Sequence, residues 1–213
     1  MRTQAALHSL GYEDYLKLRE GALVIEADRY GDKVLLLPDG SYIKLFRRKR
    51  LLSSAAFYPY VRRFADNVQA LHARGIPCPD IIALYRIPHI ERDAVHYRPL
   101  VGETLRRLLK QTPPPEAEAC RLREQIGSFV ARLHRLGVYF RSLHLGNIVL
   151  TPSGELGLID VADMTTRQRA LGYLLRKRNL KHLLRYPEET AWLCADGKFL
   201  TSYNHASGFK LSA

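Results

Sequence analysis

The segment from Glu116 to Met164 constrains this chain more than any other. It opens with "EAEACRLREQIGSFVARLHRLG" (116–137), where Ala119, Leu122, Ile126, Phe129, Val130, Leu133 and Leu136 recur at three- and four-residue spacing. That period predicts a helix with one apolar face, and Gly137 is placed to end it as a C-terminal cap. The continuation, "GVYFRSLHLGNIVLTPSGELGLIDVADM" (137–164), reads as a strand, a loop, two more strands and a second loop. The turn "TPSGE" joins the apolar runs "IVL" and "LGLI". A hairpin of that kind brings the far ends of its strands together. Asn147 and Asp160, which flank those far ends, are therefore expected to become neighbours.

The rest of the chain divides by pattern. Residues 1–98 are strand-rich: "ALVIEAD" (22–28), "KVLLLP" (33–38) and "SYIKLF" (41–46) are short β-type runs separated by "RYGD" and "DG", which predicts an antiparallel meander. A helix is expected over about 55–74, closed by Gly75, and two further strands over 80–87 and 94–100. Residues 99–213 are mostly helical, with segments at 101–110, 116–137, 167–185 and 187–207, and carry the small β element with its polar loops. The expectation is an α+β, two-lobed chain: a small N-lobe with an antiparallel sheet of five strands plus one helix, and a shortened, mostly helical C-lobe.

Composition narrows the partners. The formal net charge is +12, which favours anionic partners such as nucleotides, phosphorylated glycans or an acidic membrane surface. The basic clusters "FRRKR" (46–50) and "RKRNLKHLLR" (176–185) read as solvated faces or as anion-docking surfaces. Charge alone does not make a nucleic-acid module, and no stacking motif or recognition-helix pattern accompanies it. Cys78, Cys120 and Cys194 are scattered and odd in number, so neither a disulfide framework nor a zinc site is indicated. No leader pattern or membrane-length apolar run is visible. The expected setting is cytoplasmic, with peripheral contact through the basic patches.

Phosphoryl transfer needs positioned phosphates, a metal and a group that orients the attacking hydroxyl. Lys44 in "YIKLF" alternates with Ile43 and Leu45, so its amine projects from the opposite face of the strand. Asn147 and Asp160 offer an amide oxygen and a carboxylate, the hard donors that Mg²⁺ takes.

In register, Gly137, Val138, Leu143, His144, Asn147, Ile148, Gly154, Ile159, Asp160 and Asp163 follow the pattern G-V-x-H-x-D-L-H-x-x-N-I-L…G…L-I-D-F-x-D. This stretch resembles the protein-kinase-like superfamily, and its small bacterial branch in particular. That branch holds aminoglycoside phosphotransferases and lipopolysaccharide-core sugar kinases. The tail looks most like the latter and the related toluene-tolerance proteins. The resemblance implies a kinase-like fold with ATP and Mg²⁺ as cofactors. Lys44 would pair with the nucleotide phosphates, Asn147 and Asp160 would hold Mg²⁺, and the residues around Arg98, Leu100 and Val101 would face the adenine. Those groups would converge on one cleft.

The chain departs from that pattern at three places. The catalytic-loop aspartate is Ser142, and the preceding histidine is Phe140. A serine hydroxyl is a poor proton acceptor without a base of its own. No G-x-G-x-x-G precedes Lys44; only Gly31 stands between the first two strands. The helix glutamate expected to pair with Lys44 is replaced by Asp66 or Asn67, with Glu20 and Glu26 as other candidates. Asp163 reads as the N-cap of a helix starting near Thr165, with a stand-in carboxylate as the alternative. His134 and His144 read as structural. The leading expectation is ATP-dependent phosphorylation of a sugar hydroxyl in lipopolysaccharide core, with Ser142 and Asp160 in the catalytic centre. The alternative is a pseudokinase that binds nucleotide as a scaffold or regulator in envelope biogenesis.

Overall fold

The computed structural model describes residues 6–47 and 58–210. It falls into two compact units, Met1–Ala73 with Cys78–Leu100 and Arg74–Pro77 with Val101–Ala213. It has the α+β, kinase-like character expected: a sheet-based first unit and a mostly helical second.

The first unit is built on a six-stranded sheet in the order β1-β5-β6-β4-β3-β2. The meander is as predicted: β2 (Leu23–Asp28), β3 (Gly31–Leu36) and β4 (Tyr42–Arg47) pair antiparallel. Its second turn is fixed by Asp39, whose carboxylate accepts from the Ser41 amide at 2.9 Å, and by Gly40 at φ +82°. β4 pairs β6 (Arg92–Arg98), and β6 pairs β5 (Asp80–Ile87). Two elements were not foreseen. β1 (Leu7–Ser9) adds a parallel edge beside β5, and α1 (Tyr12–Arg19) covers one face. Three residues are too few to display a strand period, and Tyr15 is the one residue α1 buries. Tyr15 joins Leu35, Leu37, Ile43, Leu45, Ile87 and Ala94 in a core cluster. The alternate residues of β4 face the other way, towards α2 (Tyr60–His72), where Phe64 meets Phe46 and Tyr97. The helix expected over 55–74 begins here at Tyr60; residues 55–57 and most of "FRRKR" lie outside the described residues.

In the second unit α3 (Leu105–Gln111) precedes α4 (Glu116–Arg135), the predicted amphipathic helix. Ala119, Leu122, Ile126, Phe129, Val130 and Leu133 are all buried. Gly137 ends it at φ +74°. A side chain there would also strike the Arg167 carbonyl at 2.4 Å. β9 (Ile148–Leu150) and β10 (Leu156–Leu158) form the expected hairpin, with β7 (Glu103–Thr104) on the other side of β9. β8 (Val138–Phe140) pairs with β11 (Met164–Thr166), a strand that the sequence reading did not include. α5 (Tyr173–Leu183) starts after a buried Leu171. The stretch read as one helix over 187–207 is two, α6 (Pro187–Cys194) and α7 (Lys198–Ser207), separated at Gly197 in the left-handed region. Among the described residues no helix is long and apolar enough to cross a membrane.

Candidate active site in the second unit

The loop after β8 is held from below by a buried polar clamp. Asn179 on α5 donates through Nδ2 to the Phe140 carbonyl at 2.6 Å and accepts from the Phe140 amide through Oδ1 at 3.3 Å. The same Oδ1 lies 3.2 Å from His134 Nε2. An acceptor there requires the imidazole proton on Nε2, so Nδ1 accepts from the Tyr203 hydroxyl at 2.7 Å. Asn179, His134 and Tyr203 are all nearly inaccessible to solvent. Three helices thus fix the strand from which the loop springs.

Burial pushes the His134 imidazole down to about 4; Asn179 opposes the shift and Arg176 adds to it. A depressed folded-state value means that the unfolded chain binds the extra proton first, near its ordinary value of about 6.5. His134 is therefore expected to cost no stability above pH ~6.5 and to remove on the order of 3 kcal/mol as the pH falls towards 4. Denaturant titrations at stepped pH check this, and His134→Gln should flatten the decline between pH 6.5 and 4. An unchanged slope in that variant would assign the acid sensitivity elsewhere.

The loop itself, residues 141–147, is pinned at several points. Asn147 is buried, and its Nδ2 donates to the Ser142 carbonyl at 2.9 Å. That commitment of the amino group turns Oδ1 the other way, as the oxygen available to a cation. His144 is hemmed in by Arg106 and Tyr186. Arg106 of α3 approaches its Nδ1 at 3.3 Å, and Tyr186 meets the ring edge-on at 5.5 Å. Burial, then Arg106 and Arg185, push His144 down to about 4, against Glu189 and Asp160. With Nδ1 facing a guanidinium donor, His144 makes a weak base. Glu189 of α6 closes the brace: it pairs with Arg106 and accepts from the Leu145 amide at 3.1 Å. Beside this brace lies a cavity of about 610 Å³ with Arg106, Lys110, Tyr186, Glu189 and Trp192 in its wall. Aromatic faces with a few charged groups are the lining of a small-molecule pocket.

Asp160 follows β10 and is exposed, with φ +53°. Leu158 pairs with Ile148 across the hairpin, and the Ile159 amide donates to the Asn147 carbonyl at 3.1 Å. The two residues proposed as metal ligands therefore flank the same end of one hairpin. An amide oxygen beside a carboxylate is chemistry that fits Mg²⁺.

Asp163 is corrected by the structure. It caps no helix, because residues 164–166 are strand β11 and Asp163 is itself the last residue of the preceding 3₁₀ turn, Val161–Asp163. Pairing of Met164 with Phe140 instead sets Asp163 against the loop that follows β8. The Ser142 hydroxyl donates to Asp163 Oδ2 at 2.5 Å.

Lys44, Arg98 and Leu100 belong to the first unit. Lys44 lies between Val34 and Val95 on the face opposite Ile43 and Leu45, with its amine 5.9 Å from the Phe46 ring. Of the carboxylates considered for it, Glu26 pairs with Lys33, and Asp66 accepts from the Tyr58 hydroxyl at 2.5 Å. Arg98 ends β6 opposite Asp80, and Leu100 is the last residue of the unit.

The profile described as the lipopolysaccharide kinase (Kdo/WaaP) family matches residues 39–203. A curated 3-deoxy-D-manno-octulosonic acid kinase from Xylella fastidiosa (strain M12) is 31% identical over 126 residues, which take in 55% of this chain and 46% of that protein.

Proposed function

Because the chain belongs to the lipopolysaccharide kinase (Kdo/WaaP) family, we propose that it phosphorylates a sugar hydroxyl of lipopolysaccharide core with ATP and Mg²⁺. The observation that carries this reading is the shared hairpin end of Asn147 and Asp160, an amide oxygen and a carboxylate of the right chemistry next to a loop held by Asn179 and Glu189. Mg²⁺, when bound, would neutralise charge on the transferring phosphate. Asn147 Oδ1 and the Asp160 carboxylate would hold it, and Lys44 would pair with the nucleotide phosphates. Arg98, Leu100 and the residues beside them would face the adenine. The cavity walled by Tyr186, Trp192, Arg106 and Lys110 supports a sugar acceptor close to the loop.

We place the reaction at the cytoplasmic face of the inner membrane, with the protein held peripherally. On α5 and just beyond it, Tyr173, Leu174, Lys177, Arg178, Lys181 and Arg185 are exposed, with no acid among residues 171–187. Cations beside exposed apolar side chains favour an anionic lipid surface.

One assay addresses both parts. With γ-labelled ATP, transfer of label to core carried on anionic vesicles should exceed transfer to deacylated core in free solution. Raised salt should remove the excess. Mg-ATP that raises the melting temperature, with no label on either acceptor, would instead favour a nucleotide-binding pseudokinase, the reading that Ser142 itself favours.

A further inference from the structure

The reading above leaves a chemical gap, because the loop residue expected to accept the hydroxyl proton is a serine. A serine in that place has no proton affinity of its own at neutral pH. The contact between Ser142 and Asp163 fills the gap.

We propose that Ser142 and Asp163 form a proton-relay dyad that takes over the task of the missing catalytic-loop carboxylate. The proposal rests on the phosphotransferase reading and deepens it. Its geometry comes from the backbone. The antiparallel pairing of β8 with β11 sets Met164 against Phe140, so the residues just after Phe140 run opposite those just before Met164. Ser142 is thereby fixed at two atoms. Its carbonyl accepts from Asn147 Nδ2 at 2.9 Å, and its hydroxyl donates to Asp163 Oδ2 at 2.5 Å. A hydroxyl that donates to a carboxylate turns its lone pairs outward, as the acceptor for the next proton in line. The other carboxylate oxygen, Asp163 Oδ1, is buried and finds no hydrogen-bond partner among the described residues. A carboxylate kept in that state costs folding energy, which a purely structural serine contact does not require.

The step balances as follows. The acceptor oxygen forms a bond to the γ-phosphorus of the nucleoside triphosphate as the bond from that phosphorus to the β,γ-bridging oxygen breaks, and its electron pair leaves with the diphosphate. The acceptor's proton passes to Ser142 Oγ while the Ser142 proton passes to Asp163 Oδ2, and is later released to solvent. Ser142 is the catalytic residue and Asp163 the residue that acts through it.

Four variants test this on the full chain, with Mg-ATP and lipopolysaccharide core as probes. Asp163→Asn keeps an oxygen that accepts from Ser142 but removes the base. Asp163→Asn and Ser142→Ala should each lower kcat by about 10²–10⁴-fold. KM for ATP and the Mg-ATP melting shift should stay at their wild-type values. The double variant Ser142→Ala/Asp163→Asn should be no worse than either single, as befits groups that act as one unit. Ser142→Asp/Asp163→Asn should recover turnover, because a carboxylate then stands directly at the loop position. Wild-type kcat in Asp163→Asn, or loss of the Mg-ATP shift in that variant, would overturn the dyad and leave the kinase reading in place. A wild-type protein that shifts with Mg-ATP but transfers no label would overturn both.

Discussion

Asp160→Asn is expected to lower kcat by about 10³-fold, roughly 4 kcal/mol of barrier, and to abolish the melting shift produced by Mg-ATP. The wild-type shift should correspond to about 2.7 kcal/mol at 100 times Kd. The choice of variant follows from the backbone. Asp160 sits at φ +53°, where alanine is strained by about 1–2 kcal/mol and asparagine is tolerated. Asparagine thus removes the charge and leaves the turn. Asp160 is an exposed residue at the hairpin end, and asparagine keeps its size and its amide oxygen, so an effect on turnover reports mainly on the charge. Calorimetric melts with and without Mg-ATP, together with label transfer, provide the readout. An Asp160→Asn protein with wild-type shift and turnover would remove this residue from the site.

Gly127→Ala is expected to destabilise the protein by about 2–4 kcal/mol, a fall of roughly 10 °C in Tm for a chain of this size. Two effects compete. In a helix interior alanine is favoured over glycine by about 1 kcal/mol. At this position a Cβ would stand 2.3 Å from the Phe199 carbonyl oxygen and 2.9 Å from the Tyr203 amide nitrogen. Both are backbone atoms of α7, which cannot yield as a side chain tip can. The steric term wins, and α4 and α7 must separate. Differential scanning calorimetry measures the result. A stabilised variant would mean that these two helices do not approach as closely as described.

Legibility in the sequence followed the range of the interactions. The meander, α4 with its glycine stop, and the β9–β10 hairpin rest on local patterns, and all were readable. Asn147 and Asp160 could be paired in advance because a single turn joins their strands. Asp163 could not be placed in the same way. Its contact with Ser142 depends on pairing between two three-residue strands, β8 and β11, too short to show a period. The result was a carboxylate read as a helix cap that belongs to the loop instead. The Arg106–Glu189 brace joins α3 to α6 across a long stretch of chain, and nothing local in either helix announces it. α1 escaped notice because Tyr15 is the one residue it buries fully, with Leu18 only partly covered. The split of 187–207 turned on Gly197, one residue of left-handed backbone inside an otherwise helical composition.

The clamp at Phe140 ties chemistry to a distant part of the chain. Tyr203 orients His134, His134 and Asn179 share one oxygen, and Asn179 grips the strand that delivers Ser142. The last described helix is thus a foundation stone and not an appendage. A shortened version of this protein that stopped before it would retain every residue expected to touch substrate, and would hold them on a loosened footing.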